Sequence, residues 1–107
     1  MQKDLKSKKH IITTMNMEGN IIDFQLSKTF EQYVSHMNVE EKQSMLKEIG
    51  VKRFYIGKSL DDPQRETVIF QGLENVLCDI FMNPETKPIV EASGHIYAGT
   101  KITRWIS

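Results

Sequence analysis

The sequence predicts an α+β protein of the ferredoxin-like class, βαββαβ, with a four-stranded antiparallel sheet and helices on one face. Three observations predict it. Residues 51–72, VKRFYIGKSLDDPQRETVIFQG, hold two period-two runs around Leu60-Asp61-Asp62-Pro63-Gln64, the pattern of an antiparallel hairpin. An apolar stripe at helical spacing lies on each side of that hairpin. A further strand-like run lies beyond each stripe, so each helix joins two strands that can run parallel with one strand between them.

Taken in order, residues 1–9, MQKDLKSKK, are polar and lysine-rich and are expected to form a tail with almost nothing to bury. Residues 10–14 can be a short β segment or part of that tail, with Glu18-Gly19-Asn20 as a turn. Residues 1–20 are therefore expected to be a flexible extension and residues 21–107 the folded domain. Ile22, Phe24 and Leu26 alternate with Asp23 and Gln25 in the first strand. Thr29 stands three residues before Gln32, the spacing of a capping box, and Phe30, Tyr33, Val34 and Met37 make the helical stripe. Asn38 with Glu41 repeats the cap spacing and predicts a restart. Gly50 suits a left-handed stop.

In the hairpin, Phe54 and Ile56 share one face of the first strand, and Val68 and Phe70 one face of the second. Which faces meet the helices cannot be told from period alone. Pro63 punctuates the turn. Residues 73–81 form the next helix, with Leu73, Val76, Leu77 and Ile80 on one side. Asn83-Pro84-Glu85 is a restart signal, Gly94 a stop, and residues 96–106 the last strand, with Gly99 as a bulge or crossing point.

At 107 residues the chain makes one domain with one ordinary core. Fourteen basic residues balance fourteen acidic ones, which argues against a nucleic-acid or membrane-surface partner and leaves self-association open. The single cysteine, Cys78, cannot pair within the chain and fits a buried thiol. No apolar run approaches the ~20 residues of a membrane span, and Ile11-Ile12 is too short for a signal-peptide core. The expected location is cytoplasmic.

Phe24-Gln25-Leu26-Ser27-Lys28-Thr29-Phe30-Glu31, Gly57-Lys58-Ser59-Leu60-Asp61-Asp62-Pro63 and Gly94-His95-Ile96-Tyr97 resemble the motifs of a small family of uncharacterised bacterial proteins with this layout. They are similar to its "strand, then (S/T)-F-E helix start", its "D-D-P" turn and its "G-H-I-Y" strand entry. The resemblance covers the chain from about Ile21 onward, and no activity is attached to that family. More broadly the chain resembles the dimeric α/β-barrel superfamily, in which two such sheets pack face to face. That implies a homodimer through the open sheet face. It also implies a site where a histidine or tyrosine enters the cleft between sheet and first helix.

The sequence holds no glycine-rich phosphate loop, no Cys/His set at zinc spacing and no Gly-x-Ser-x-Gly element, so no cofactor or metal is expected. Asp61-Asp62 beside Pro63 is a solvated turn. The chemical candidates are His95, Tyr97, His36 and Tyr55, with Tyr33 one turn before His36. Histidine suits proton transfer near neutrality. Period two puts His95 and Tyr97 on one strand face, whereas a lone histidine at an element's end is more often capping or solvent-bonded. Trp105 fits a subunit contact. Two functions follow: a non-enzymatic dimeric module binding a small ligand or partner protein, or a cofactor-independent enzyme of the monooxygenase, isomerase or decarboxylase type. An enzyme needs an acid-base group converging on an enclosed pocket.

Overall fold

The computed structural model describes residues 16–106. The expectations for residues 1–15, the tail and the short β segment, lie outside the described residues. The elements are β1 (Met17–Leu26), α1 (Phe30–Met37), α2 (Glu40–Glu48), β2 (Lys52–Lys58), β3 (Arg65–Leu73), α3 (Val76–Phe81), a 3-10 turn (Pro84–Thr86), α4 (Lys87–Ala92) and β4 (His95–Ile106). The sheet order is β2-β3-β1-β4, with every neighbouring pair antiparallel. This is the ferredoxin-like arrangement that the hairpin and its flanking helices predict.

β1 begins at Met17, four residues before the predicted start, and Glu18-Gly19-Asn20 is strand rather than turn. Glu18 and Asn20 continue the buried face of Ile22, Phe24 and Leu26. A carboxylate can sit there because the Arg104 guanidinium grips it, Nε to Oε2 at 2.5 Å and Nη2 to Oε1 at 2.8 Å. The pairing joins the first and last strands, which no local pattern could announce.

The capping box at Thr29 forms as predicted: its Oγ1 accepts from the Gln32 amide, and its own amide donates to Gln32 Oε1. Thr29→Ala is expected to lower unfolding free energy by about 1 kcal/mol, the usual worth of such a cap, in urea titration. The restart differs from expectation. Val39, not Asn38, is the N-cap of α2, because the Asn38 side chain accepts from Arg53 Nη2 at 2.8 Å instead. Gly50 and Gly94 end α2 and α4 with φ of +75° and +103°, as glycine allows. β3 keeps Leu73, so α3 starts only at Val76.

On the sheet's helix-facing side, Ile22, Phe24, Leu26, Val68 and Phe70 pack against Tyr33, Met37, Leu46, Leu77, Phe81 and Val90. Two bulges interrupt the period. In β2 the register passes from Arg53↔Phe70 to Tyr55↔Ile69, leaving Phe54 as the extra residue. Phe54 is thereby 56% exposed while Ile56 packs on the core, so the two do not share a face. In β4 the register passes from Ile96↔Gln25 to Lys101↔Asp23, so residues 97–100 bow out opposite Phe24. Gly99, with φ of +80°, makes that bulge.

The other sheet face is only partly apolar. Its central row is Tyr55, Ile69, Ile21 and Thr103 in register, with Trp105 across from Gly19. The row of Gly57, Thr67, Asp23 and Lys101 beside it is mostly polar. The face is thus an apolar strip between polar margins rather than a continuous apolar surface.

Candidate functional site

The buried chemistry gathers around Phe24. His95, at the start of β4, stacks flat on the Phe24 ring, with centroids 3.7 Å apart and 3° between planes. Phe81 of α3 closes the other side of the imidazole at 5.4 Å. Tyr33 of α1 tilts against Phe24 at 5.5 Å. Glu66 of β3 is Phe24's register partner across the sheet. Phe24, Tyr33, Glu66 and His95 are each 2% exposed or less.

The hydrogen bonds fix the imidazole tautomer. Thr100 Oγ1 donates its one proton to the Tyr97 carbonyl at 2.8 Å, so at 2.7 Å from His95 Nε2 it must accept. Nε2 therefore carries hydrogen and Nδ1 is bare, buried and without a partner. Burial between aromatic rings pushes the His95 pKa down to about 4. The imidazole is neutral across the physiological range.

Glu66 is the residue that sequence reasoning missed. Both of its carboxyl oxygens are buried and unpartnered. Desolvation pushes its pKa up to about 8, only partly offset by the Arg53 charge. It is therefore a neutral acid at pH 7. Burial, with the nearby Glu66 charge adding to it, raises the Tyr33 phenol far above its ordinary value. Arg53 Nη1 is likewise buried without a partner, although Nη2 is held by Asn38. The signal for Glu66 was present: it has the same parity as Val68 and Phe70, and period two carries it to the core face.

The remaining candidates are dispersed. Tyr97 stands in the β4 bulge and packs against the edge of the core, on the same side as His95. His36 is half-buried in the last turn of α1; burial comes first, and Lys42 and Lys28 second, in lowering its pKa. Tyr55 lies on the opposite sheet face, 54% exposed, with its ring over Gly57, where an added Cβ would meet the hydroxyl. His95 and Tyr55 thus cannot serve one cleft.

The cleft between the helix pairs, lined by Tyr33, Phe70 and Phe81 among others, is apolar and holds only about 50 Å³. A ligand site commonly has several hundred. The roomier spaces are surface grooves. One of about 540 Å³ lies between α2 and the start of β2. Another of about 270 Å³ lies beside Tyr55, Lys58 and Arg65. Among the described residues no three His, Cys, Asp or Glu side chains converge as metal ligands. No helix there is long and apolar enough to cross a membrane.

No curated protein matches the chain. A solved structure described as LarC2, the C-terminal domain of a cyclometallase involved in the synthesis of the NPN cofactor of lactate racemase, in its apo form, is similar over 84% of this chain at 11% identity and a TM-score of 0.43. The chain spans 56% of that structure's length, and a likeness of this degree says nothing of activity. Residues 17–107, from the first residue of β1 onward, match the family described as Domain of unknown function (DUF3764), and the chain belongs to it.

Proposed function

We propose that the protein is a non-enzymatic module of the bacterial cytoplasm. It forms a homodimeric α/β barrel through its open sheet face and binds a small ligand or a partner protein. The observation that carries the dimer is the exposed aromatic character of that face. Tyr55 and Trp105 are 54% and 61% exposed there, around the Ile69–Ile21 strip. Helices cover the opposite face alone, so a second copy is what would remove this strip from water. Sedimentation at low micromolar concentration is expected to give a dimer, and Ile69→Lys with Trp105→Glu a folded monomer. A wild-type monomer would sink the barrel reading.

Binding rather than catalysis is supported by the sealing of His95, Tyr33 and Glu66 beneath a cleft of about 50 Å³. One observation favours the second reading, a cofactor-independent enzyme. A neutral carboxylic acid, a bare imidazole nitrogen and a phenol stand around a single ring, a set able to give and take protons once the helices part. In that reading His95 and Glu66 carry the chemistry, while His36, Tyr97 and Tyr55 lie outside it.

A further inference from the structure

The chain is neutral overall, yet its charges are not evenly spread. The groove of about 540 Å³ is lined by Gln43, Leu46, Lys47, Gly50, Val51, Lys52 and Arg53. Three of these are cations and none is a carboxylate. The turn explains the convergence. Gly50 takes a left-handed φ of +75°, and the Val51 amide returns to the Leu46 carbonyl at 2.8 Å. The reversal sets Lys47 at the end of α2 and Lys52 at the start of β2 on either side of one space, the Lys52 ammonium resting 5.1 Å from the Phe54 ring centroid at its rim. A Cβ built on Gly50 would meet nothing within 4 Å, so the space over the turn is open.

The groove also has a built wall and an apolar floor. Arg53 is half-buried, and Asn38 fixes its guanidinium. Leu46 and Val51 are buried beneath, 7% exposed each. Among the described residues, neither lysine nor Arg53 forms a salt bridge with a carboxylate. Cations gathered without counter-charges above an apolar floor attract an anion that carries some hydrocarbon.

The geometry points to this groove as the binding site for a small organic anion, a carboxylate with a short apolar body. The carboxylate sits among Lys47, Lys52 and Arg53, and the hydrocarbon lies on Leu46 and Val51. This names the ligand class within the binding role proposed above and rests on it.

The test uses the full chain, with hexanoate as probe and 1-hexanol as its uncharged counterpart, followed by amide chemical shifts in a ¹H–¹⁵N spectrum. Hexanoate at up to about 20 mM, the range of a weak fragment, is expected to move the amides of residues 43–53 in a saturable way. Hexanol is expected to leave them in place. Lys47→Glu with Lys52→Glu should weaken hexanoate binding about tenfold or more, and Lys47→Gln with Lys52→Gln by less. Both lysines are exposed, so the fold should survive. No saturable shift with hexanoate, an equal response to hexanol, or undiminished binding in the charge-reversed chain would each overturn the site. Sedimentation of the same samples reports the dimer separately: a dimer that fails to bind hexanoate defeats the groove alone.

Discussion

Arg104→Ala is expected to lower the thermal midpoint at pH 7 by roughly 10 °C, although the Arg104 side chain is itself 44% exposed. The loss falls on its partner. Glu18 is 1% exposed, and four donors serve its carboxylate: Arg104 Nε and Nη2, the Asn20 side-chain amide at 2.8 Å and the Asn75 backbone amide at 2.8 Å. Arg104 is the largest cause holding its pKa down to about 2, against burial, with Asn75 and Asn20 adding to it. Without the guanidinium a buried charge keeps two neutral donors only. Arg104→Lys should recover less than half, because an ammonium cannot repeat the forked grip. The sign of the pH effect follows. A carboxylate with a depressed folded pKa stabilises the fold above about pH 4.5, and that contribution is lost as pH falls towards 2. Melting curves of wild type and Arg104→Ala should therefore converge in strong acid. A gap that stays constant to pH 2 would mean that Arg104 acts by packing alone.

The same pair shows what the sequence could and could not disclose. Helix starts, stops and the hairpin are local chemistry, so Thr29, Gly50, Pro63 and Gly94 were legible one by one. Glu18 was not, since a glutamate before Gly-Asn reads as a turn until Arg104, 86 residues away, is beside it. Phe54 was misplaced for another reason: strict alternation cannot register one inserted residue, and a bulge reverses every facing beyond it. The helix-facing set became known only with packing. Among the candidate site residues, His95 is buried and Tyr97 packs at the edge of the core, yet the pattern says nothing about whether that side holds a cavity. Glu66 could have been found by extending the alternation of Val68 and Phe70 two residues back. A buried acid runs against composition-based expectation, which places charges in solvent.

Glu66→Leu is expected to stabilise the protein, by about 2–3 kcal/mol at pH 8.5 and by much less at pH 5.5. Neither Glu66 oxygen has a hydrogen-bond partner, so the leucine forfeits no bond made in the fold and removes a desolvation cost. The groups around Glu66 leave it short of a counter-charge. Lys58, its register partner on β2, is turned to Glu31 and lies over Phe30. Arg53 is held to Asn38, Tyr33 approaches from α1, and Phe24 with the neutral His95 stack fills the β1 side. The folded pKa of about 8 lies above the ordinary 4.5, so the neutral acid is the form the fold prefers. Its stabilising contribution is complete below about pH 4.5 and is lost as pH rises through 8. His95 works in the opposite direction. Its folded pKa of about 4 lies below 6.5, so its contribution is present above pH 6.5 and lost as pH falls through 4. Between about 4.5 and 6.5 the two slopes oppose, and the wild-type maximum belongs in that window. Above it only Glu66 titrates of the pair, and stability should fall by up to about 1.4 kcal/mol per pH unit. Urea titrations at pH 5.5, 7 and 8.5 would show this decline in wild type, whereas Glu66→Leu should gain stability from pH 5.5 to 7, where His95 titrates unopposed, and stay level from 7 to 8.5. If both proteins follow the same alkaline profile, Glu66 is already ionised in the fold, and the neutral acid beside Tyr33 and His95 does not exist.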